Sequence, residues 1–308
     1  MTTFLQLLVA GLAIGAQFAL IVLGFVVIYR ATGVINFAQG AFVLLGAYFA
    51  YNAINRWGLP FFVAVPIAMI GCAVVGVLVE LLILRRMIGQ PVYAVIMITI
   101  GLLIILQEVP TMIWGGDNLV LGDPWGTESL TAGGVVIESK NLATIVMAGV
   151  VLAGFFLLFR YSRIGIAMRA TALDQEVALA QGISVRRVFA VSWAIAGAVG
   201  ALAGVTAAAG AAANVQPALG FVALVAFPAM ILGGLDSPLG AVIGGAIIGV
   251  TQTLTQGWVT GVLDFGWLPS APEWLGDGFE DVMPYLVMIV ILMVRPFGLF
   301  GTKEVRRI

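Results

Sequence analysis

Nine predominantly apolar runs, separated by short polar stretches, leave this chain few ways to fold. They cover residues 4–29, 33–51, 61–84, 92–113, 141–159, 188–210, 220–232, 239–256 and 282–300. One helical crossing of a hydrocarbon layer about 30 Å thick takes about 20 apolar residues. A chain of 308 residues therefore has room for about eight to ten crossings. Charged residues make up 9% of the chain and apolar residues 62%, with a mean hydropathy of +1.13. A soluble domain carries about 25% charged residues. The expected fold is all-α: one polytopic transmembrane helical bundle spanning residues 1–308, with some short or broken helices. The 39 glycines point to close helix packing, because lipid supplies no hydrophobic drive between helices and small residues let backbones approach.

Several function classes drop out. The chain has no histidine, which removes histidine-ligated metal sites and Ser/His or Cys/His nucleophile pairs. Its single cysteine, Cys72, lies in an apolar run and excludes a disulfide framework. A net charge of −1 gives no signal for nucleic acid. No lysine or arginine precedes Arg30, so the first run lacks the basic start of a signal peptide and reads as a retained span. No catalytic residue and no metal site is expected.

Lysine and arginine gather on the cytoplasmic side of membrane proteins. With the N-terminus outside and the C-terminus inside, the inner loops hold Arg30, Arg85, Arg86, Arg160, Arg163, Arg169, Arg186, Arg187, Lys303, Arg306 and Arg307. The outer loops hold only Arg56 and Lys140, and Arg295 falls near the inner end of the last run. Trp57, Trp114, Trp125, Trp258, Trp267 and Trp274 all fall at the outer side, as an interfacial belt would.

The stretch 160–187, RYSRIGIAMRATALDQEVALAQGISVRR, is a polar island between apolar runs. Ile166, Ala170, Leu173, Val177 and Ala180 recur at helical spacing, which predicts one amphipathic helix between Gly165 and Gly182. From its pattern alone such a helix is a membrane-surface connector or a docking element.

Two interruptions carry polar side chains into the apolar runs. GVINFAQGAFVLLGAY, from Gly33, places Asn36 and Gln39 one helical turn apart at a membrane entrance, beside Gly40. Amides buried without partners are costly. They read either as an interhelical hydrogen bond of about 1 kcal/mol or as part of a permeation path. In GGLDSPLGAVIGG, Pro238 breaks helix continuity next to Asp236 and Ser237. Asp236 caps the helix beginning near Ser237 or Leu239, or contacts a ligand directly. Paired breaks of this kind mark the path in many transporters and hint at an internal repeat joining the two motifs. Elsewhere, Glu80 reads as an ion-pair partner of Arg85 or Arg86, and Glu108, beside Gln107, as a hydrated carboxylate near the outer interface.

These motifs together, GVINFAQGAFVLLGAY, RYSRIGIAMRATALDQEVALAQGI with RRVFAVSWAIAGAVGALAG, and ILGGLDSPLGAVIGGAIIG, resemble the membrane permeases of branched-chain amino acid ABC importers, the LivH type. The resemblance runs from about Gly11 to Glu304. It implies a subunit that moves branched-chain or other small neutral amino acids inward across the cell membrane. The implied partners are a related second permease, two cytoplasmic ATPase subunits that bind ATP and Mg, and an extracytoplasmic binding protein. The island then resembles a coupling loop, with Gly165, Ile166, Arg169, Ala170, Leu173, Asp174, Val177 and Gly182 at the ATPase contact. Asn36, Phe37, Gln39, Gly40, Asp236 and Ser237 become candidates for the translocation path. The chain itself carries no GxxxxGK[ST] loop, so ATP is expected on partners. It departs from the family pattern at Gln39, where histidine is common, and at Ala41, where an acidic residue is common. The cargo therefore stays open within the family, which also serves urea and short amides. A stand-alone carrier is the alternative from another class. The scarcity of midspan ionisable groups speaks against proton coupling, while sodium coupling stays open.

Overall fold

The computed structural model describes residues 2–302, apart from 127–128, 133, 211–213, 265, 267–268, 270, 273–274 and 277. Glu128, Trp267, Trp274, Lys303, Arg306 and Arg307 thus lie outside the described residues. The apolar runs become helices close to their expected bounds. These are α1 (Thr2–Thr32), α2 (Gln39–Tyr51), α3 (Phe61–Leu82), α4 (Val92–Trp114), α5 (Ser139–Tyr161), α8 (Val185–Ala208), α11 (Pro238–Val259) and α12 (Phe279–Val294). The island forms α6 (Arg163–Leu173) and α7 (Gln175–Ala180), and the seventh run is the broken pair α9 (Val222–Val225) and α10 (Phe227–Gly233). Among the described residues, six helices are long and apolar enough to cross a membrane: α1, α3, α4, α5, α8 and α11. Between α4 and α5 lies a small antiparallel hairpin, β1 (Ser129–Ala132) with β2 (Val135–Glu138), which no sequence pattern announces. Four-residue strands are too short to leave a periodic signal.

α1 and α8 are largely buried and stand at the centre, whereas α4 and α5 turn most of their surface outward. Glycine sets how closely the helices approach. α1 runs antiparallel to α11, with Gly11 beside Val250 and Gly15 beside Ala246. A Cβ added to Gly15 would stand 2.8 Å from the Ala246 Cα and 2.9 Å from the Gly245 carbonyl oxygen. The same device joins α3 to α8, where Gly76 meets the Trp193 carbonyl and Gly197 meets that of Cys72. It recurs between α2 and α8, where Gly46 faces Ala201 and Gly204 faces Val43. The glycines of the eighth run therefore form a packing face rather than a break. α11, the eighth run, is an uninterrupted helix of 22 residues.

The second and seventh runs are the true half-crossings. α2 begins only at Gln39, after the non-helical residues 33–38, and runs on through a π-helical turn at Asn52–Arg56, so the first part of this crossing is not helical. Residues 217–233 are divided among a 3-10 turn, α9 and α10. The two segments meet start to start, with Gly40 against the Gly220 carbonyl.

This meeting reveals an inverted repeat whose members differ from those the sequence suggested. α1, α2, α3 and α4 correspond to α8, the 217–233 segment, α11 and α12, running in the opposite sense. α1 packs on α11 as α8 packs on α3, and α1 and α8 also pack on each other. The partner of the Asn36 break is thus the 214–226 stretch rather than the turn at Asp236. α5, α6 and α7 link the two halves.

Gly15→Val is expected to cost about 1–3 kcal/mol or more through overpacking, seen as a lower melting temperature of the purified chain. Gly154→Ala on α5, where an added Cβ meets nothing within 4 Å, should stay within about 0.5 kcal/mol of wild type.

Candidate functional site

Gly33 ends α1 at φ +73°, with its N–H bonded to the Tyr29 carbonyl at 2.7 Å, and the chain then turns back into the bundle. Asn36 Oδ1 accepts from the Ala38 N–H at 3.0 Å, a local turn that launches α2. The Phe37 N–H donates to Thr99 Oγ1 of α4 at 3.3 Å, while that hydroxyl donates to the Ile96 carbonyl at 2.9 Å. Gln39 Nε2 donates to the Ala196 carbonyl of α8 at 3.1 Å. Its amide fills the notch left by Gly24 on α1 and also lies against Gly200 on α8.

Gly24 is eight residues before the end of α1, which places Gln39 roughly 12 Å inside that end. The pair expected at a membrane entrance therefore lies deep in the bundle, and only Gln39 is helical. Phe37 stacks on Phe227 at 6.1 Å, and Phe227 meets Phe25 edge-on at 5.8 Å. On the far side of Gly40, Gln107 Nε2 reaches the Pro217 carbonyl at 3.5 Å. Asn36, Phe37, Gln39 and Gly40 are thus gathered where the two half-crossings join. Among the described residues, Asn36 Nδ2, Gln39 Oε1 and Ser192 Oγ find no hydrogen-bond partner.

The island departs from the single helix expected between Gly165 and Gly182. Asp174 adopts extended backbone, φ −161°, and caps α7, with Oδ1 accepting from the N–H groups of Glu176 at 2.9 Å and Val177 at 3.0 Å. An acid that the helical wheel placed mid-helix is in fact a helix start. Ser162 caps α6 by accepting from Gly165 N–H at 2.9 Å, and Gly182, at φ +80°, follows the end of α7. Gly165 sits so close to the Leu158 and Phe159 carbonyls that a side chain would overlap them.

The apolar stripe remains unpartnered: Ile166 is 53%, Leu173 89% and Val177 57% exposed, and Ala170 is half-buried. Arg169 points the other way. Its guanidinium donates to the carbonyls of Phe159 and Arg160 and lies 5.3 Å from the Phe159 ring centroid. It therefore closes the carbonyl end of α5 rather than presenting itself at the surface. Gln175 Nε2 donates to the Ala31 carbonyl at 3.2 Å, tying α7 to the end of α1.

The third group is reassigned. Ser237, not Asp236, caps α11, its Oγ accepting from Gly240 N–H at 3.0 Å ahead of Pro238. The Asp236 carboxylate accepts from the backbone N–H of Thr302 at 3.2 Å and from its hydroxyl. Leu299 and Phe300 donate to the carbonyls of Leu232 and Gly233, so Asp236 clamps residues 299–302 onto the 232–236 turn. It lies at the island end, where Arg30, Gly33, Asp174 and Gln175 border the same pocket.

The sequence profile of the permease component of branched-chain amino acid transport systems matches residues 7–292. The chain belongs to that family. A permease protein named BraD, of the high-affinity branched-chain amino acid transport system of Pseudomonas aeruginosa, is 29% identical, covering 99% of this chain and 98% of the relative. The LivH permease of the corresponding Salmonella typhimurium system is 28% identical, with the same coverage. A protein of Methanocaldococcus jannaschii described as a probable branched-chain amino acid transport permease, LivH, is 27% identical over 94% of this chain and 90% of its own. No solved structure matches. These relatives are transport permeases rather than enzymes, and the chain is a multi-pass protein of the cell membrane.

Three further residues of the permease have defined surroundings. Thr99, which holds the Phe37 N–H, gave no sequence signal, since one threonine in an apolar helix is ordinary. Glu80 pairs with Arg85, whose Nε and Nη2 lie 3.2 and 2.9 Å from its two oxygens. Glu108 is exposed, and the Thr111 hydroxyl donates to its backbone carbonyl at 2.6 Å.

Thr99→Val leaves the Phe37 N–H unmet and should cost about 1–3 kcal/mol, whereas Thr99→Ser should melt near wild type. Ser237→Ala should cost about 0.5–2 kcal/mol through the lost cap. Asp236→Asn should leave α11 intact and raise hydrogen exchange only at residues 299–302.

Proposed function

We propose that this permease is the membrane subunit of an ATP-driven importer for branched-chain or other small neutral amino acids. Membership of the family over residues 7–292 carries this reading. In it the N-terminus lies outside, and the arginine-rich island faces the cytoplasm. Two ATPase subunits bind ATP and Mg there, a related second permease completes the membrane core, and an extracytoplasmic binding protein delivers cargo.

The exposed stripe of Ile166, Leu173 and Val177 supplies the apolar face that docks in an ATPase groove, with Ala170 between them. Gly165 and Gly182 set the bends at either end. Arg169 and Asp174 act indirectly, the first by holding α6 to the end of α5 and the second by capping α7. Movement of α6 and α7 reaches the bundle by two short routes. One runs through Arg169 to α5, and the other through Gln175 to the end of α1 and so to the loop bearing Asn36, Phe37 and Gln39. Closure of the ATPases displaces this lever and rearranges the junction around Gly40. Asp236 and Ser237 keep the turn into α11 rigid during that movement.

Affinity purification of the chain from its native membrane in mild detergent tests the reading. Two P-loop ATPases and a second permease should accompany it. Leu173→Asp should weaken ATPase association by about 30-fold, equivalent to ~2 kcal/mol, with an unchanged melting temperature because the side chain is exposed. A chain that purifies alone, and whose Leu173→Asp variant transports as well as wild type, would reject the importer reading in favour of a stand-alone carrier.

A further inference from the structure

Beneath the loop of residues 33–38, at the island end, the permease holds a cavity of about 150 Å³. At about 30 Å³ for each water, that is the space of roughly five waters, enough for one small metabolite. Its lining divides by chemistry. Ile28, Val34, Val95, Phe189 and Trp193 present apolar surface, while Asn36 and Glu80 bring two buried polar groups beside Thr32, Gln90, Thr99 and Gln175.

Both polar groups are 1% exposed. The Asn36 amide has its orientation set by the Ala38 N–H, which occupies Oδ1 and leaves Nδ2 as a donor with no partner among the described residues. A buried donor left unmet is costly, and a group that persists this way needs an explanation. Glu80 holds Arg85 through both oxygens, yet a carboxylate has about four acceptor positions, so lone pairs remain. One donor, one anionic acceptor and an aliphatic wall complement a molecule with a carboxylate, an ammonium and a branched apolar side chain.

We propose that this cavity is a binding site for a single branched-chain amino acid zwitterion, on the island side of the re-entrant loop. The assignment rests on the transport reading above and names the place where cargo pauses after passing that loop. The carboxylate accepts from Asn36 Nδ2, and the ammonium donates to Glu80. The side chain lies against Val34, Val95 and Phe189. Gln175 of α7 also lines the cavity, so the segment that docks the ATPase borders the cargo.

The test is equilibrium binding of radiolabelled L-leucine to the purified full-length chain in lipid nanodiscs. One saturable site per chain is expected, with isocaproate and isoamylamine, each lacking one charge, competing at least tenfold less well than unlabelled leucine. Asn36→Ala and Val95→Trp, the second filling the cavity from its apolar wall, should each weaken binding at least tenfold. Only variants with wild-type melting and elution are scored. Val95→Trp leaves the loop's hydrogen bonds in place and decides the matter if Asn36→Ala fails to fold. Absence of saturable binding, binding unchanged in the scored variants, or isocaproate matching leucine would overturn the proposal. Co-purifying ATPases without leucine binding would remove this site alone, while leucine binding by a chain that purifies without ATPases would remove the importer reading and leave the site.

Discussion

Backbone-to-backbone approach at glycine is the constraint on which the rest of this permease depends. In hydrocarbon, helices gain little by hiding apolar surface from one another, so close van der Waals packing has to hold them. Gly11 and Gly15 on α1, Gly245 and Gly249 on α11, and Gly76 and Gly197 between α3 and α8 provide contacts that no side chain could occupy. Because those pairs hold α1 and α8 at the centre, irregular backbone can be kept beside them.

That protection is what makes two half-crossings tolerable. Non-helical backbone survives at membrane depth only where protein satisfies it. Thr99 takes the Phe37 N–H, Asn36 takes that of Ala38, and Gln39 ties the start of α2 to α8. Gly24 and Gly200 make room for the Gln39 amide, so a residue that looks like an isolated polar intrusion is seated in a built notch. The second half-crossing answers it from the opposite side, with Gly220 against Gly40, as the inverted repeat requires.

The island is built with similar economy of contacts. Its bends are made by Gly165, by the Asp174 cap and by Gly182, and its outward face stays apolar. Arg169 and Gln175 fix it to α5 and α1 respectively, which puts this apolar face one hydrogen bond away from the end of the helix that leads into the 33–38 loop.

What was legible in the sequence was whatever depends on runs and periods. The nine apolar segments, the island, the exposed Leu173 and Val177 stripe and the Glu80 ion pair with an adjacent arginine all follow from local spacing and from the cost of placing charge in lipid. The kink at Asp174 escaped because an acid at that point of a helical wheel reads as a polar face until its carboxylate is seen to bond two backbone N–H groups. The cap of α11 fell to Ser237 rather than Asp236 because the partner of Asp236, Thr302, lies 66 residues further on. The depth of Gln39, the role of Thr99, the true pairing of the repeat and the cavity under Asn36 were decided by tertiary structure alone. Each is a contact between distant helices, and sequence pattern records which face a residue occupies but not which helix faces it. By itself the sequence determined that this chain is a helical membrane permease; the packing of glycine on glycine decided where its broken segments meet.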